Sequence, residues 1–435
     1  MNLRKLTFRG GVHPKERKTL SEQVPIEIMP LPEQVVIPVQ QHIGAPAEPI
    51  VAVGDEVKTG DKICEAKGFV SVPSHASVSG KVVAIEPRNH PLGGKTLSIV
   101  IENDGQDKIS ETIAPLSDFL ELDIEEMKKK IQQAGLAGMG GAAFPTHVKL
   151  SPPADKPIDT FILNGAECEP YLTADHRLML EFPKEIISGV QIAMKILGCR
   201  NGFIAIEKNK PDAIELMKKM VKETGANLKV VGLNVKYPQG AEKQLIKAII
   251  NRNVPAGGLP MDVGCLVHNV GTAKAIFEAV SSNKPLIERV VTVSGLGIHH
   301  PKNVLARIGS PFQNLIDLCG GLKDSATKIV NGGPMMGIAQ FSLDVPVTKG
   351  TSGILALTDR ETSERIPGPC IRCCHCVDVC PMNLMPNDIA RFAEFERYED
   401  VHRLGVLDCI ECGSCSYICP AKIRHVHLFK YAKLQ

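Results

Sequence analysis

The segment Cys370-Ile371-Arg372-Cys373-Cys374-His375-Cys376-Val377-Asp378-Val379-Cys380-Pro381 has the cysteine pattern CxxCxxCxxxCP, and the pattern returns in Cys409-Ile410-Glu411-Cys412-Gly413-Ser414-Cys415-Ser416-Tyr417-Ile418-Cys419-Pro420. Three thiolates on one tight loop each reach a different iron of a cubane. The fourth, set back by an extra residue and followed by proline, reaches the neighbouring cluster. The pattern therefore predicts two [4Fe-4S] clusters with crossed ligation. Cys370, Cys373, Cys376 and Cys419 serve one, and Cys409, Cys412, Cys415 and Cys380 serve the other. A zinc ribbon takes its ligands in two pairs, whereas each run here supplies a full set by itself.

This is the spacing of a two-cluster bacterial ferredoxin. Between the runs, in residues 386–404, Ile389, Phe392, Phe395 and Val401 recur at roughly helical intervals, so the stretch is expected to lay an apolar face over the clusters. Cys374 lies inside the first run but outside the pattern, and reads as a thiol beside the cluster rather than a ligand.

The chain has 435 residues, room for about three domains. Hydrophobic content of 43% and charged content of 23% are ordinary, and a formal charge of +2 makes no electrostatic case for nucleic acid. With 4% aromatics and no Trp there is no platform for stacking single strands. No window approaches the roughly 18 consecutive apolar residues of a spanning helix, and the N-terminal segment lacks the apolar core of a signal peptide. The chain is expected in the cytoplasm with no transmembrane segment of its own, where cluster thiolates stay reduced. Cys64, Cys168, Cys199, Cys265 and Cys319 read as buried free thiols.

Residues 30–101 carry Val, Ile, Gly and Pro in short bursts such as Val51-Ala52-Val53-Gly54-Asp55-Glu56-Val57, which predicts short strands joined by Gly-Asp turns. Their order resembles the biotinyl/lipoyl carrier sandwich. Those carriers modify a lysine in a Met-Lys-Met hairpin. The matching stretch here is Ala66-Lys67-Gly68-Phe69-Val70, and Lys67 is expected to stay unmodified.

Leu122, Ile124, Met127 and Ile131 give residues 121–134 a helical pattern that runs into Gly135-Leu136-Ala137-Gly138-Met139-Gly140-Gly141-Ala142-Ala143-Phe144-Pro145. A Rossmann fingerprint follows a strand and opens a helix, and this loop follows a helix instead. By itself such a loop also has a reading as a packed turn. Its neighbours argue for a ligand. The strand-like run 158–163 ends in Asn164-Gly165-Ala166-Glu167-Cys168-Glu169-Pro170, and α/β sheets bind ligands beyond the carboxyl ends of their strands. Two acids and an amide there suit sugar-alcohol hydroxyls, although one acid can instead cap a helix expected at 173–180. Strands expected at 229–233 and 265–267 precede Pro238-Gln239-Gly240-Ala241-Glu242 and His268-Asn269-Val270-Gly271-Thr272. Helices expected at 186–197, 213–223, 243–251 and 272–280 complete a layered α/β pattern. Residues 290–339 read as a small β-rich module with one helix near 312–319, and a Ser/Thr/Gly/Pro stretch from 350 leads to the cluster domain.

Taken in this order, the motifs resemble RnfC, a component of the membrane-bound ferredoxin:NAD oxidoreductase called the Rnf complex, over essentially the whole chain. Gly10-Gly11-Val12-His13-Pro14, Gln41-His42-Ile43-Gly44-Ala45-Pro46 and Cys370-Ile371-Arg372-Cys373 share the likeness. The middle is similar to the flavin subunit of respiratory complex I, whose glycine loop and acidic segment hold FMN and receive NADH. The β module resembles SLBB, a soluble ligand-binding β-grasp unit. The expected fold is multidomain α/β: a barrel-sandwich domain at 1–115, an FMN- and NADH-binding α/β domain at 116–287, an SLBB β-grasp domain at 288–350 and an α-helical two-cluster ferredoxin-type domain at 351–435.

The resemblance implies site residues. Gly138, Gly140, Gly141 and Ala142 line FMN through backbone N–H groups. Asn164, Glu167 and Glu169 hold the ribityl chain, while Gly240, Glu242, Asn269 and Thr272 close over the flavin. Phe144 and Lys149 face the dinucleotide. The complex I loop reads Gly-Gly-Ala-Gly-Phe, and Ala143 here replaces its last glycine. The implied activity is that of an NAD(H)-binding component of an ion-translocating ferredoxin:NAD+ oxidoreductase, of the translocase class and with no catalytic side chain. FMN stands between NAD(H) and the clusters, since nicotinamide exchanges two electrons and a cluster one. The implied partners are the other Rnf proteins RnfA, RnfB, RnfD, RnfE and RnfG, including the iron-sulfur protein RnfB and the membrane components, with ferredoxin reached through the complex. The chain would lie on the cytoplasmic side of the membrane. A cobalamin reductase of propanediol-utilising microcompartments resembles the same order, and a non-catalytic electron relay without dinucleotide binding is the other reading.

Overall fold

The computed structural model describes residues 6–362 and 366–435. Runs rich in β-branched residues form strands, because such side chains pack well on a pleated surface. After β1 (Ile26–Ile28) come β2 (Gln34–Pro38), β3 (Glu48–Pro49), β4 (Glu56–Val57), β5 (Lys62–Glu65), β6 (Ser74–His75), β7 (Gly80–Asn89) and β8 (Lys95–Asn103). Strands β2 to β8 make two sheets of order β2-β8-β7-β4 and β3-β5-β6. Val35, Ile37, Ile63, Val82, Ile99 and Ile101 share the core between them. The loop 66–73 joins the paired strands β5 and β6, and Lys67 in it is exposed and ion-paired with Glu48.

The next unit runs through α1 (Ile124–Gln133), α2 (Thr146–Lys149), β9 (Thr160–Gly165), α3 (Ala174–Glu181), α4 (Pro183–Leu197), β10 (Asn201–Glu207), α5 (Pro211–Thr224), β11 (Leu228–Leu233), α6 (Glu242–Ile250), β12 (Cys265–Asn269) and α7 (Val270–Ser282). Its strands are parallel in the order β11-β10-β9-β12. The chain steps outward from β9 to β10 to β11, then returns to the far side of β9 to lay down β12. The strand order therefore reverses between β9 and β12, and there Asn164 pairs in register with Asn269. Such a reversal opens the crevice in which α/β sheets bind ligands. Phe161, Leu163, Ile186, Val190, Ile204, Ala273 and Ile276 fill the core beneath it. Gly189 permits the close approach of α4 and α7, since a Cβ there would collide with the Ala273 carbonyl. β10 has no counterpart among the expected strands, because a run as short as Phe203-Ile204-Ala205-Ile206 is not separable from buried helix by periodicity.

The β-rich module comprises β13 (Glu288–Ser294), β14 (Lys302–Arg307), α8 (Phe312–Leu318), β15 (Ala326–Asn331), β16 (Ile338–Gln340) and β17 (Gly353–Thr358). Its sheet has six strands in the order β1-β14-β13-β17-β15-β16. Two of these lie outside the expected limits of 288–350. β17 is inserted between β13 and β15, and β1 pairs in parallel with β14. The physical reason is that the open edges of β13 and β15 on one side and of β14 on the other carry backbone N–H and C=O groups that need partners, which β17 and β1 supply.

Beyond it lie α9 (His375–Asp378), α10 (Pro386–Glu394), α11 (Tyr398–Arg403), α12 (Ser414–Ile418) and α13 (His425–Leu434). Ile389, Val401 and Phe429 are buried in one cluster with Cys376 and Cys415. The apolar face expected along 386–404 is not continuous. The chain breaks at Glu396, with φ 55°, and Phe395 turns outward at 70% exposure. No helix among the described residues is long and apolar enough to cross a membrane.

Candidate functional site

The ends of β9 and β12 supply the crevice. Asn164 Nδ2 donates to the Gly240 carbonyl at 2.8 Å, and its Oδ1 accepts from Ala166 N at 3.1 Å. Asn269 caps α7 by accepting from Gly271 N at 2.8 Å, and its Nδ2 donates to Asp175 Oδ2 at 2.6 Å. Thr272 Oγ1 accepts from Met139 N at 2.9 Å, which fastens the glycine loop to the first turn of α7. Gly140 has φ 78°, and a Cβ there would stand 2.6 Å from Asn269 Nδ2, so both the conformation and the contact require glycine. Gly141 has open space around it, and Gly140, Gly141 and Ala142 line the exposed rim of the loop. The Gly138 N–H is already taken by the Phe144 carbonyl at 2.8 Å. Ala143 has φ 52°, which explains why a glycine suits this position; alanine adopts it at a cost of about 1–2 kcal/mol.

The two acids after β9 are differently engaged. Glu167, left-handed at φ 48°, accepts from Asp175 N at 2.7 Å through Oε1 and so caps α3, while its buried Oε2 has no hydrogen bond but faces the Lys18 ammonium at 4.0 Å. Glu169 accepts from Met335 N at 3.0 Å and Met336 N at 2.9 Å, tying the β-rich module to the α/β domain. Burial pushes the Glu169 carboxyl up to about 7 against the pull of those N–H groups. Asp175 is also shifted upward, by burial first and by Glu167 second. Beneath the turn, Lys18 Nζ donates to the carbonyls of Glu167, Glu169 and Leu172 at 2.8, 3.0 and 2.6 Å, and Lys210 Nζ donates to that of Ala166 at 2.8 Å. Burial, then Lys210, lowers the Lys18 pKa. None of Asp175, Lys18 and Lys210 is among the expected site residues. The only local signal is for Asp175, an acid in the first turn of a helix.

Lys149 and Glu242, expected at different ligands, pair with each other, and Lys149 also donates to the Val267 carbonyl at 2.9 Å. The cation expected to face the dinucleotide thus already has a carboxylate partner. Phe144, a few positions before it in the chain, is half-buried.

The second cysteine run seats against the same turn. Cys412 is buried with Val12 and Tyr237, with Cys168, Met335 and Val379 packed around them. Tyr237 Oη stands 3.5 Å from Glu169 Oε1, and Gly240 N donates to Cys168 Sγ at 3.3 Å. Gln244 Nε2 reaches the Pro381 carbonyl at 3.2 Å, and Gly11 N the Val379 carbonyl at 2.8 Å. Burial raises the thiols of Cys409, Cys412 and Cys415, Cys409 to about 11, and Cys380 of the first run stands in the electrostatic surroundings of all three. Cys376 is raised to about 11, mainly by burial, and has Cys419 of the second run as a neighbour. Cys370, Cys373 and Cys374 are exposed. Among the described residues no three His, Cys, Asp or Glu side chains converge as tightly as one metal ion requires. Ligands that each hold a different iron of one cubane stand farther apart than that. The open, exposed backbone at Gly140 and Gly141 fits a phosphate, and the grouping of Cys380 with the second run fits a four-thiolate cluster.

Comparison with known proteins agrees with this architecture. Residues 6–106 match the RnfC barrel sandwich hybrid domain, 131–278 the Nuo51 FMN-binding domain, 290–339 the SLBB domain and 362–420 a 4Fe-4S dicluster domain. The chain is 52% identical over 428 residues to the C component of the proton-translocating ferredoxin:NAD(+) oxidoreductase complex of Clostridium ljungdahlii, covering 98% of this chain and 93% of that protein. It is 49% identical over 433 residues to the C component of the Na(+)-translocating ferredoxin:NAD(+) oxidoreductase complex of Acetobacterium woodii, covering 100% and 98%. The C component of the ion-translocating oxidoreductase complex of Rhodobacter capsulatus is 43% identical over 441 residues, covering 99% and 83%. Among solved structures, a chain of an NAD+-reducing [NiFe]-hydrogenase in the H2-reduced state shares the fold at a TM-score of 0.51 and 18% identity, over 73% of this chain and 64% of that one.

Proposed function

The chain belongs to the RnfC family of the ion-translocating Rnf complexes, and from that premise we propose that it is the component at which NAD(H) enters or leaves the electron path. It is an electron-transfer protein with an FMN-binding domain and a 4Fe-4S dicluster domain. The observation that carries the finer reading is the seating of Cys412 in one cluster with Tyr237, of the loop after β11, and Cys168, of the turn after β9. The crevice for a two-electron carrier and the first one-electron carrier thereby share a wall.

When bound, FMN exchanges hydride with nicotinamide and single electrons with iron-sulfur clusters. The residues of the chain hold and orient. Gly140, Gly141 and Ala142 offer backbone to the flavin, Thr272 fixes the loop, and Asn269 caps the helix behind it. Phe144 offers an aromatic face to the dinucleotide. Cys409, Cys412, Cys415 and Cys380 hold the cluster nearer the crevice. Cys370, Cys373, Cys376 and Cys419 hold the other, whose exposed Cys370 and Cys373 leave it open to an electron partner. We assign that partner to the other proteins of the complex, RnfA, RnfB, RnfD, RnfE and RnfG, with ferredoxin reached through the iron-sulfur protein RnfB. Ion translocation lies in the membrane components, with this chain at their cytoplasmic face.

Anaerobic purification with iron, sulfide and flavin quantified should return about eight irons and one FMN per chain, and NADH should bleach the flavin. Holo-protein that NADH fails to reduce would mark an electron relay and end the NAD(H) reading. Loss of paired cubane signals in EPR would end the cluster reading.

A further inference from the structure

The barrel sandwich meets the glycine loop and α2 through the connections β2–β3 and β5–β6. Ile43 N donates to the Ala143 carbonyl at 3.3 Å, and His147 Nε2 lies 3.0 Å from the Phe69 carbonyl. The Phe69 ring stands edge-on to His147, with centroids 5.8 Å apart and 85° between planes. His42 Nε2 accepts from Val72 N at 3.2 Å, so the segment bearing Ile43 is braced against the loop bearing Phe69. Despite these anchors, Phe69 is 62% exposed and Ile43 49% exposed. Both flank the glycine loop, whose rim at Gly140, Gly141 and Ala142 is itself open to solvent.

We propose that Phe69, carried by the sandwich domain, forms a wall of the dinucleotide crevice and offers its face to a heteroaromatic ring of NAD(H). The loop in which carrier proteins bear a swinging cofactor arm here bears a fixed aromatic for a neighbouring domain. The inference rests on the NAD(H) reading above and adds to it a positioning residue outside the α/β domain. Stacking is the interaction: a planar, electron-poor ring gains contact with an aromatic face already held in place, so little side-chain freedom is lost on binding.

The full chain, purified anaerobically with flavin and iron intact, is titrated with NAD+ by calorimetry as wild type, Phe69→Ala, Phe69→Leu and Phe69→Tyr. The Kd of Phe69→Ala should rise about threefold to tenfold, as expected for one lost aromatic contact. Phe69→Leu should be similarly weakened and Phe69→Tyr should bind as wild type, with flavin and iron content equal in all of them. Equal Kd values for wild type and Phe69→Ala overturn the role of Phe69 and leave the NAD(H) reading standing. A wild-type protein that binds no NAD+ overturns that reading and the inference with it. Loss of flavin from both Phe69→Ala and Phe69→Leu makes the residue a prop of the flavin loop, and also overturns the inference.

Discussion

Asn269 joins the two sides of the crevice, and its replacement by alanine removes two hydrogen bonds at once. One is the cap on Gly271 N at 2.8 Å, and the other is the donation to Asp175 Oδ2 at 2.6 Å. A lost N-cap costs about 1 kcal/mol. A buried carboxylate deprived of a donor costs about 1.5–3 kcal/mol more. The sum is about 2.5–4 kcal/mol, which for a domain of this size lowers the unfolding midpoint by about 5–15 °C. Asn269→Asp separates the two contributions, because it keeps the cap but sets a second carboxylate against Asp175. Asp175 is already raised above its ordinary value, so a second acid extends the pH range in which the folded state holds the extra proton. The stability of Asn269→Asp should therefore fall relative to wild type as pH rises from about 4 toward neutrality and beyond. Scanning calorimetry of anaerobic holo-protein at about pH 6 and about pH 8, with flavin content read from absorbance, measures both effects. An Asn269→Ala midpoint within about 1 °C of wild type, or an Asn269→Asp protein as stable as wild type at the higher pH, would refute the account of this junction.

Three further outcomes are expected. The Glu169 carboxyl, raised by burial to about 7 from an ordinary 4.5, holds its proton more tightly when folded, so wild-type stability should fall as pH climbs between those values. That loss is about 2–3 kcal/mol, and Glu169→Gln should abolish it; parallel pH profiles of the midpoint for the two proteins would contradict this. Ala143→Gly should gain about 0.5–1 kcal/mol, because relief of the left-handed alanine outweighs the added freedom of glycine in the unfolded chain, and a lower midpoint would count against it. Crossed ligation predicts that Cys380→Ala and the double variant Cys380→Ala/Cys412→Ala each lose about four irons, whereas Cys380→Ala/Cys419→Ala loses about eight. Iron analysis in which Cys380→Ala/Cys412→Ala loses about eight irons, as it would if each run held its own cluster, would end the crossed assignment.

Much of the architecture was legible because its signals are local. A ligand set packed into a dozen residues is a property of the covalent chain, as is a glycine loop after a helix. The helices expected at 186–197 and 213–223 lie within Pro183–Leu197 and Pro211–Thr224, since a periodic apolar stripe has one easy way to be buried. β1 and β17 escaped, because three residues hold no period and because a strand placed between two earlier ones is chosen by open hydrogen bonds far away in sequence. Phe395 fitted the helical interval until the left-handed Glu396 turned the chain.

By itself, then, the sequence determined which cofactor chemistry the chain is equipped for, because ligand type and spacing are written along the backbone. Only the tertiary structure decided which of those groups are still free to act. Glu169 is engaged by Met335 and Met336, Lys149 by Glu242, and the turn after β9 by Lys18, whose ammonium crosses 149 positions to reach the Glu167 carbonyl. Hydrogen bonds and charges are claimed by whichever partner folding brings near, and in a buried crevice an unclaimed polar group is too costly to leave to chance.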